Sequence, residues 1–256
     1  MKRFLAPAEI PDHAVLLDAR PATAYTSGHI PGARNVEFTQ KFLIRDAQQL
    51  EAFNTAVQNL ARGAGLSEGQ RVVVCDAGRD NRAARVAWAL EYAGFEVALL
   101  REGMNGFHGT LETSPAAFTR SEFVMDHPKR DLLATADAVL ARDANTVVID
   151  ARNAKEFSGE QAVSGSTRGG HIPGAINLNW EDLTTATGFQ GDASLEEKLA
   201  LIPKDAEVIV HCQSGARSSV LYHALKSQGY NVKNYVGSMN EWVADEALPL
   251  EQDAES

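Results

Sequence analysis

The stretch Leu16-Leu17-Asp18-Ala19-Arg20, followed by Gly28-His29-Ile30-Pro31-Gly32-Ala33-Arg34-Asn35-Val36, returns later in the chain. It comes back as Val148-Ile149-Asp150-Ala151-Arg152, followed by Gly170-His171-Ile172-Pro173-Gly174-Ala175-Ile176-Asn177-Leu178. The Asp-Ala-Arg triplets are 132 residues apart and the histidines 142 apart, so the second copy carries ten extra residues between its two motifs. That insert, residues 158–167, is polar and rich in Gly and Ser, the composition of a surface loop. A repeat this long is a duplicated domain rather than a solenoid unit.

Further pairs extend the match in order. Val72-Val73-Val74 answers to Val208-Ile209-Val210, Gly94-Phe95 to Gly229-Tyr230, and Met104-Asn105 to Met239-Asn240, with Phe107 and Trp242 at equivalent places. In each copy a short apolar run (residues 14–17 and 146–149) reads as a strand ending in Asp. The Pro and Gly of His-Ile-Pro-Gly make a turn. A second β-branched run (71–74 and 207–210) then leads into a helix. In the second copy that helix carries an apolar stripe at Val220, Leu221, Ala224 and Leu225 and stops near Gly229. Strands alternating with helices predict an α/β fold with a mainly parallel sheet in each copy, and ligands at the carboxyl ends of the strands. The expected boundaries are 1–112 for the first domain, 113–131 for a linker of mixed charge with few periodic apolar positions, and 132–256 for the second domain.

Composition narrows the function classes. The 256 residues hold 24 Lys+Arg against 34 Asp+Glu, a net charge of −10. Neither a nucleic-acid surface nor a polybasic membrane anchor fits that balance. Hydrophobic content of 44% and charged content of 23% are ordinary for a globular protein. No apolar run reaches the roughly 18 residues of a membrane helix, and the start, broken by Pro7 and Glu9, is too short in apolar residues for a signal peptide. A cytoplasmic location is expected. Two cysteines, Cys75 and Cys212, make no disulfide framework, and no metal-ligand spacing accompanies them. No cofactor is called for.

The chemistry points to Glu207-Val208-Ile209-Val210-His211-Cys212-Gln213-Ser214-Gly215-Ala216-Arg217-Ser218-Ser219. A buried strand ends at Cys212, a small loop follows, and a helix begins around Ala216–Ser218. Successive loop N–H groups form an anion-binding nest. The helix N-terminus and Arg217 add positive charge. All three favour thiolate over thiol, which makes a cysteine nucleophilic. The competing reading is a structural cysteine at a strand end.

The two Asp-Ala-Arg…Gly-His-Ile-Pro-Gly-Ala copies, the strand–Cys–loop–Arg–helix segment and Tyr235-Val236-Gly237-Ser238-Met239-Asn240-Glu241-Trp242 together resemble the tandem-domain rhodanese family of thiosulfate and 3-mercaptopyruvate sulfurtransferases. The resemblance covers nearly the whole chain. It implies two rhodanese-like domains, a catalytic cysteine in the second that cycles through a persulfide, and an inactive first domain. Cys212 is then the nucleophile, and Gln213, Ser214, Gly215, Ala216, Arg217 and Ser218 bind the donor. Its partners would be a small anionic sulfur donor and a thiophilic acceptor such as cyanide or a thiol. A monomer is the family's default. Arg217 is a candidate either for holding the donor's anionic end or for bracing the loop. In the first copy Cys75 aligns with His211 and Asp76 with Cys212, so a carboxylate stands at the nucleophile's place and Cys75 reads as structural.

Asp150 and Arg152 read as an ion pair or turn brace, because the pair recurs as Asp18 and Arg20. His29 and His171 follow the same logic, and Trp180 either lines the pocket or joins the core. One position departs from the family: many members carry an arginine where this chain has Glu156. With a Cys-Gln-Ser-Gly-Ala-Arg loop, that favours thiosulfate, or a persulfide or protein donor, over a carboxylate substrate. Arg168 is the candidate to supply the missing charge. Two other classes compete. The cell-cycle dual-specificity phosphatases share this loop design but place five residues between Cys and Arg, against four here. The other is a non-catalytic sulfur-carrier or binding module; binding modules usually lose the cysteine, so the retained Cys212 counts against that reading for the second domain, and it stays open for the first, where Asp76 stands.

Overall fold

The computed structural model describes residues 2–252 and divides the chain into two compact units. One holds residues 2–40, 51–130 and Thr184–Gln190; the other holds Lys41–Leu50, Asp131–Leu183 and residues 191–252.

The first unit contains β1 (Phe4–Leu5), β2 (Val15–Asp18), α1 (Ala22–Thr26) and β3 (Arg34–Asn35), and most of α2 (Ala47–Gly63). It continues with β4 (Arg71–Cys75), α3 (Arg82–Tyr92) and β5 (Glu96–Leu100). The second contains β6 (Leu133–Ala134), α4 (Ala136–Leu140), β7 (Thr146–Asp150), α5 (Ala154–Ser158) and β8 (Ile176–Asn177). It ends with α6 (Asp192–Leu199), β9 (Glu207–His211), α7 (Ala216–Ser227), β10 (Asn231–Tyr235) and α8 (Ser238–Trp242). The strand orders are β1-β5-β4-β2-β3 and β6-β10-β9-β7-β8, and every pairing is parallel. The fold is therefore the duplicated α/β architecture that the repeat predicts.

The strands at the centre of each sheet are buried on both faces. Val72, Val73 and Val74 of β4 and Val208, Ile209 and Val210 of β9 are all 0–1% exposed, which is why they form continuous β-branched runs rather than alternating ones. The predicted stripe on α7 is wider than expected. Every residue from Ser218 to Leu225 is buried, so the helix is wrapped nearly all round, and its buried serines need partners. Gly94 and Gly229 end α3 and α7 at positive φ, +102° and +81°. There the N–H of Phe95 and Tyr230 reaches back to the carbonyls of Leu90 and Leu225.

The insert at 158–167 carries no helix or strand beyond Ser158 and is pinned by Val163, which joins the core formed by Val148, Ile172, Tyr235 and Trp242. The stretch 113–129 likewise has no helix or strand. It lies along the first unit: Arg62 Nε donates to Phe123 O, Ser121 N to Arg62 O and Lys129 N to Tyr92 O, while Phe95 and Phe123 pack ring to ring. Among the described residues, no helix is long and apolar enough to cross a membrane.

Candidate active site

Register puts the two copies on a common frame. Asp18 pairs with Cys75 between β2 and β4, and Asp150 pairs with His211 between β7 and β9. Cys75 and His211 are thus equivalent, and the next residues, Asp76 and Cys212, occupy the same place at the carboxyl end of a central strand. The recurring Asp-x-Arg motif is a brace in both. Arg152 makes a two-pronged contact with Asp150 (2.6–3.0 Å) and donates to Gly170 O at 2.8 Å. Arg20 does the same with Asp18 and Gly28 O. The motif histidines are also structural. His29 stacks on Tyr25 and His171 on Phe157, ring centroids 3.7 and 3.8 Å apart, and each Nδ1 meets the carbonyl of its stacking partner. Trp180 is half-buried, its backbone N–H donated to Ala151 O.

Around Cys212 the chain curls back on its own sulfur. Ser214 N and Gly215 N point at Sγ from 3.4 and 3.2 Å. Burial would raise the thiol's pKa. The charge of Arg217 and the N–H groups of Ser218 and Ser214 outweigh it and hold Cys212 below the ordinary cysteine value. Gly215 makes the turn into α7 at φ +83°, and a Cβ there would meet Val236 O at 3.0 Å. From the other side, Met239 N donates to Cys212 O at 3.1 Å and Asn240 N to Gln213 O at 2.9 Å. Cys212 N donates to Ser238 Oγ at 3.2 Å. Ser238 is the sole non-glycine residue at positive φ (+53°) among the described residues. Its counterpart in the first copy, Gly103, sits at +51°. The serine thus holds a glycine's conformation while its hydroxyl oxygen accepts the Cys212 backbone N–H.

Glu156 is the residue that sequence reasoning placed but did not connect. It caps α5 as the third residue of a box with Asn153. It also takes Arg217 in a fork, 2.6 and 2.9 Å to the two carboxylate oxygens. Gln213 Oε1 accepts from the same guanidinium at 3.4 Å. Through these contacts Arg217 links Gln213 of the loop to Glu156 of α5. The suggestion that Arg168 supplies a missing charge is corrected: its guanidinium is spent on the carbonyls of Val243, Asp245 and Leu248, which ties down the chain after α8.

In the first copy the same cradle is filled from within. Asp76 Oδ1 accepts from Gly78 N at 2.8 Å and Oδ2 from Ala83 N at 2.9 Å. Burial pushes its carboxyl up to about 7, against those two hydrogen bonds. Cys75, fully buried, is raised well above the usual thiol range by that burial and by the charges of Asp18 and Asp76.

Residues 2–110 and 135–245 both match the rhodanese-like domain family. The chain belongs to the rhodanese family. It is 31% identical over 252 residues to a thiosulfate sulfurtransferase of Azotobacter vinelandii, covering 93% of this chain and 90% of that one. It is 32% identical over 254 residues to a 3-mercaptopyruvate sulfurtransferase of Escherichia coli strain K12, covering 91% and 87%. A crystal structure of a probable thiosulfate sulfurtransferase superimposes with a TM-score of 0.79 at 35% identity, covering 95% of this rhodanese and 99% of that chain.

Three residues at this rhodanese site escaped the sequence reading: Ser219, Asn234 and Ser238. Reading the two copies column by column would have found them, since they replace Ala84, Leu99 and Gly103.

Proposed function

We propose that this sulfurtransferase moves a sulfane sulfur from thiosulfate to a thiophilic acceptor through a persulfide on Cys212, in the C-terminal copy alone. The observation that carries the reading is a cysteine sulfur inside a ring of inward-pointing amides, with its pKa held down by Arg217. The Cys212 thiolate attacks the outer sulfur of thiosulfate. A bond forms between the two sulfurs, the donor's S–S bond breaks, and its electron pair leaves with sulfite. Cyanide or a thiolate then attacks the outer sulfur of the persulfide, the new S–S bond breaks, and its pair returns to Cys212. Negative charge stays on sulfur throughout, so donors preorganised around that position lower both barriers. The Asp76 carboxylate excludes this cycle from the N-terminal copy, for it fills the cradle and offers no nucleophilic sulfur.

Thiosulfate is favoured over 3-mercaptopyruvate by the Glu156–Arg217 pair. With its fork committed to Glu156, Arg217 offers no bidentate grip to a substrate carboxylate. Turnover of thiosulfate with cyanide tests the assignment. Cys212→Ser is expected to abolish turnover, whereas Cys75→Ser leaves it within about twofold. Loss of activity in Cys75→Ser with the fold intact, or retention in Cys212→Ser, would contradict it.

A further inference from the structure

Beneath the Cys212 loop lies a polar network that the fold itself does not need. Asn234, on β10, is fully buried, as are Ser218 and Ser219 on the facing turn of α7. Asn234 Oδ1 accepts from Ser218 Oγ at 2.7 Å, and its Nδ2 donates to Ser219 Oγ at 3.1 Å and to Gly215 O at 3.4 Å. Ser219 Oγ donates to the same Gly215 carbonyl at 2.7 Å. Gly215 is therefore tied on both faces, its N–H to the Cys212 sulfur and its carbonyl to the network.

The first copy provides the comparison. Strand register equates Asn234, which pairs with Val210, with Leu99, which pairs with Val74. Ser218 answers to Ala83: the N–H of Ser218 meets the Cys212 sulfur as that of Ala83 meets Asp76. Ser219 then answers to Ala84. The same sheet, helix and turn thus close over Ala83, Ala84 and Leu99, all buried and apolar. Burying a carboxamide and two hydroxyls is costly unless each finds a partner, and an apolar set of similar shape does the packing in the copy without a nucleophile. A polar network found only beneath the nucleophile has a task connected with it.

We infer that Ser218, Asn234 and Ser219 act as one positioning unit, with Asn234 as its hub, that holds Gly215 so that the loop amides stay aimed at the Cys212 sulfur. None of the three needs to leave its place during the reaction; they act through the loop. The inference rests on the reading of Cys212 as the sulfur-transfer nucleophile.

The test is the pH profile of Cys212 alkylation by iodoacetamide, read by peptide mass so that Cys75 does not contribute. It is measured for the full chain, for Ser218→Ala, and for the triple variant Ser218→Ala/Ser219→Ala/Asn234→Leu. The triple variant installs the residues of the first copy, where this fold already accommodates them. Ser218→Ala alone accounts for the Ser218 hydroxyl and its bond to Asn234. The triple variant is expected to move the apparent pKa upward by about one further unit, with thiosulfate turnover at neutral pH about tenfold below that of Ser218→Ala. Ser219→Ala, measured beside them, is expected to move the profile upward with Ser218 and Asn234 in place, and serves alone if the triple variant does not fold. Profiles of the triple variant and Ser218→Ala that coincide, or an unmoved Ser219→Ala where only that variant folds, overturn the inference. Alkylation needs no sulfur donor. A parent protein whose profile behaves as expected but which takes no sulfur from thiosulfate would count against the proposed function and leave this inference standing.

Discussion

One position, aligned across the two copies, separates a reactive cradle from a closed one. At Cys212 the loop amides and Arg217 face a sulfur whose pKa they hold down, which is the basis of the proposed transfer cycle. At Asp76 two amides are consumed by a carboxylate that is itself destabilised by burial, with its pKa raised to about 7. The linkage has a definite sign. Because the folded-state pKa lies above the unfolded carboxylate value, Asp76 favours the folded state fully below about pH 4, and that contribution is lost as pH rises to about 7. Asp76→Asn removes the titration. The stability difference between variant and parent should therefore shift in the variant's favour by roughly 2–3 kcal/mol between pH 5 and pH 8. Urea unfolding at the two pH values measures it, and a difference that does not change with pH would contradict the account. The comparison between pH values matters because the asparagine also sets an N–H₂ where Asp76 has an acceptor, a fixed cost at both.

Elements carry the next layer. Helix α7 begins at the loop that holds the sulfur, and α5 supplies Glu156 to its first turn through the Arg217 fork. Glu156 serves two elements at once, as cap of α5 and partner of α7. Glu156→Gln keeps the capping geometry, since glutamine serves at that position, and removes the negative charge beside Arg217. The Arg217 field then falls more fully on the sulfur. The alkylation profile of Cys212 should move to lower pH, and KM for thiosulfate should fall. An unchanged profile in a folded variant would show that the pair does not tune the nucleophile.

The limits of the sequence are visible at this scale. The strands β4 and β9, the start of α7 and the glycine that ends it were legible, because β-branched runs and a helix stop are local signals. The Glu156–Arg217 pair joins residues 61 apart in the chain, and charge reversal at Glu156 suggested an unfavourable neighbour for substrate rather than a partner for Arg217. The contacts of Arg168 were equally hidden, because they are made to backbone carbonyls, which no side-chain pattern announces. Asn234 sits in a strand whose other inward positions are apolar, and only its contrast with Leu99 marks it.

For the molecule as a whole, duplication explains both the architecture and the division of labour. The repeat of Asp-Ala-Arg and Gly-His-Ile-Pro-Gly marks the brace and the stacked histidine found in each copy, which is why those motifs recur irrespective of chemistry. The copies differ around the proposed nucleophile: Cys212 for Asp76, Ser219 for Ala84, Asn234 for Leu99 and Ser238 for Gly103. The stretch 113–129, within the segment expected to link the two copies, follows the first unit through hydrogen bonds from Arg62, Ser121 and Lys129. Those bonds engage backbone groups, which composition does not reveal.

The most direct test is the intact mass of the protein after incubation with thiosulfate, beside Cys212→Ser. The account predicts a gain of one sulfur atom that cyanide removes and that the variant never shows. A parent protein that gains nothing, or a variant that still gains the sulfur, would contradict it.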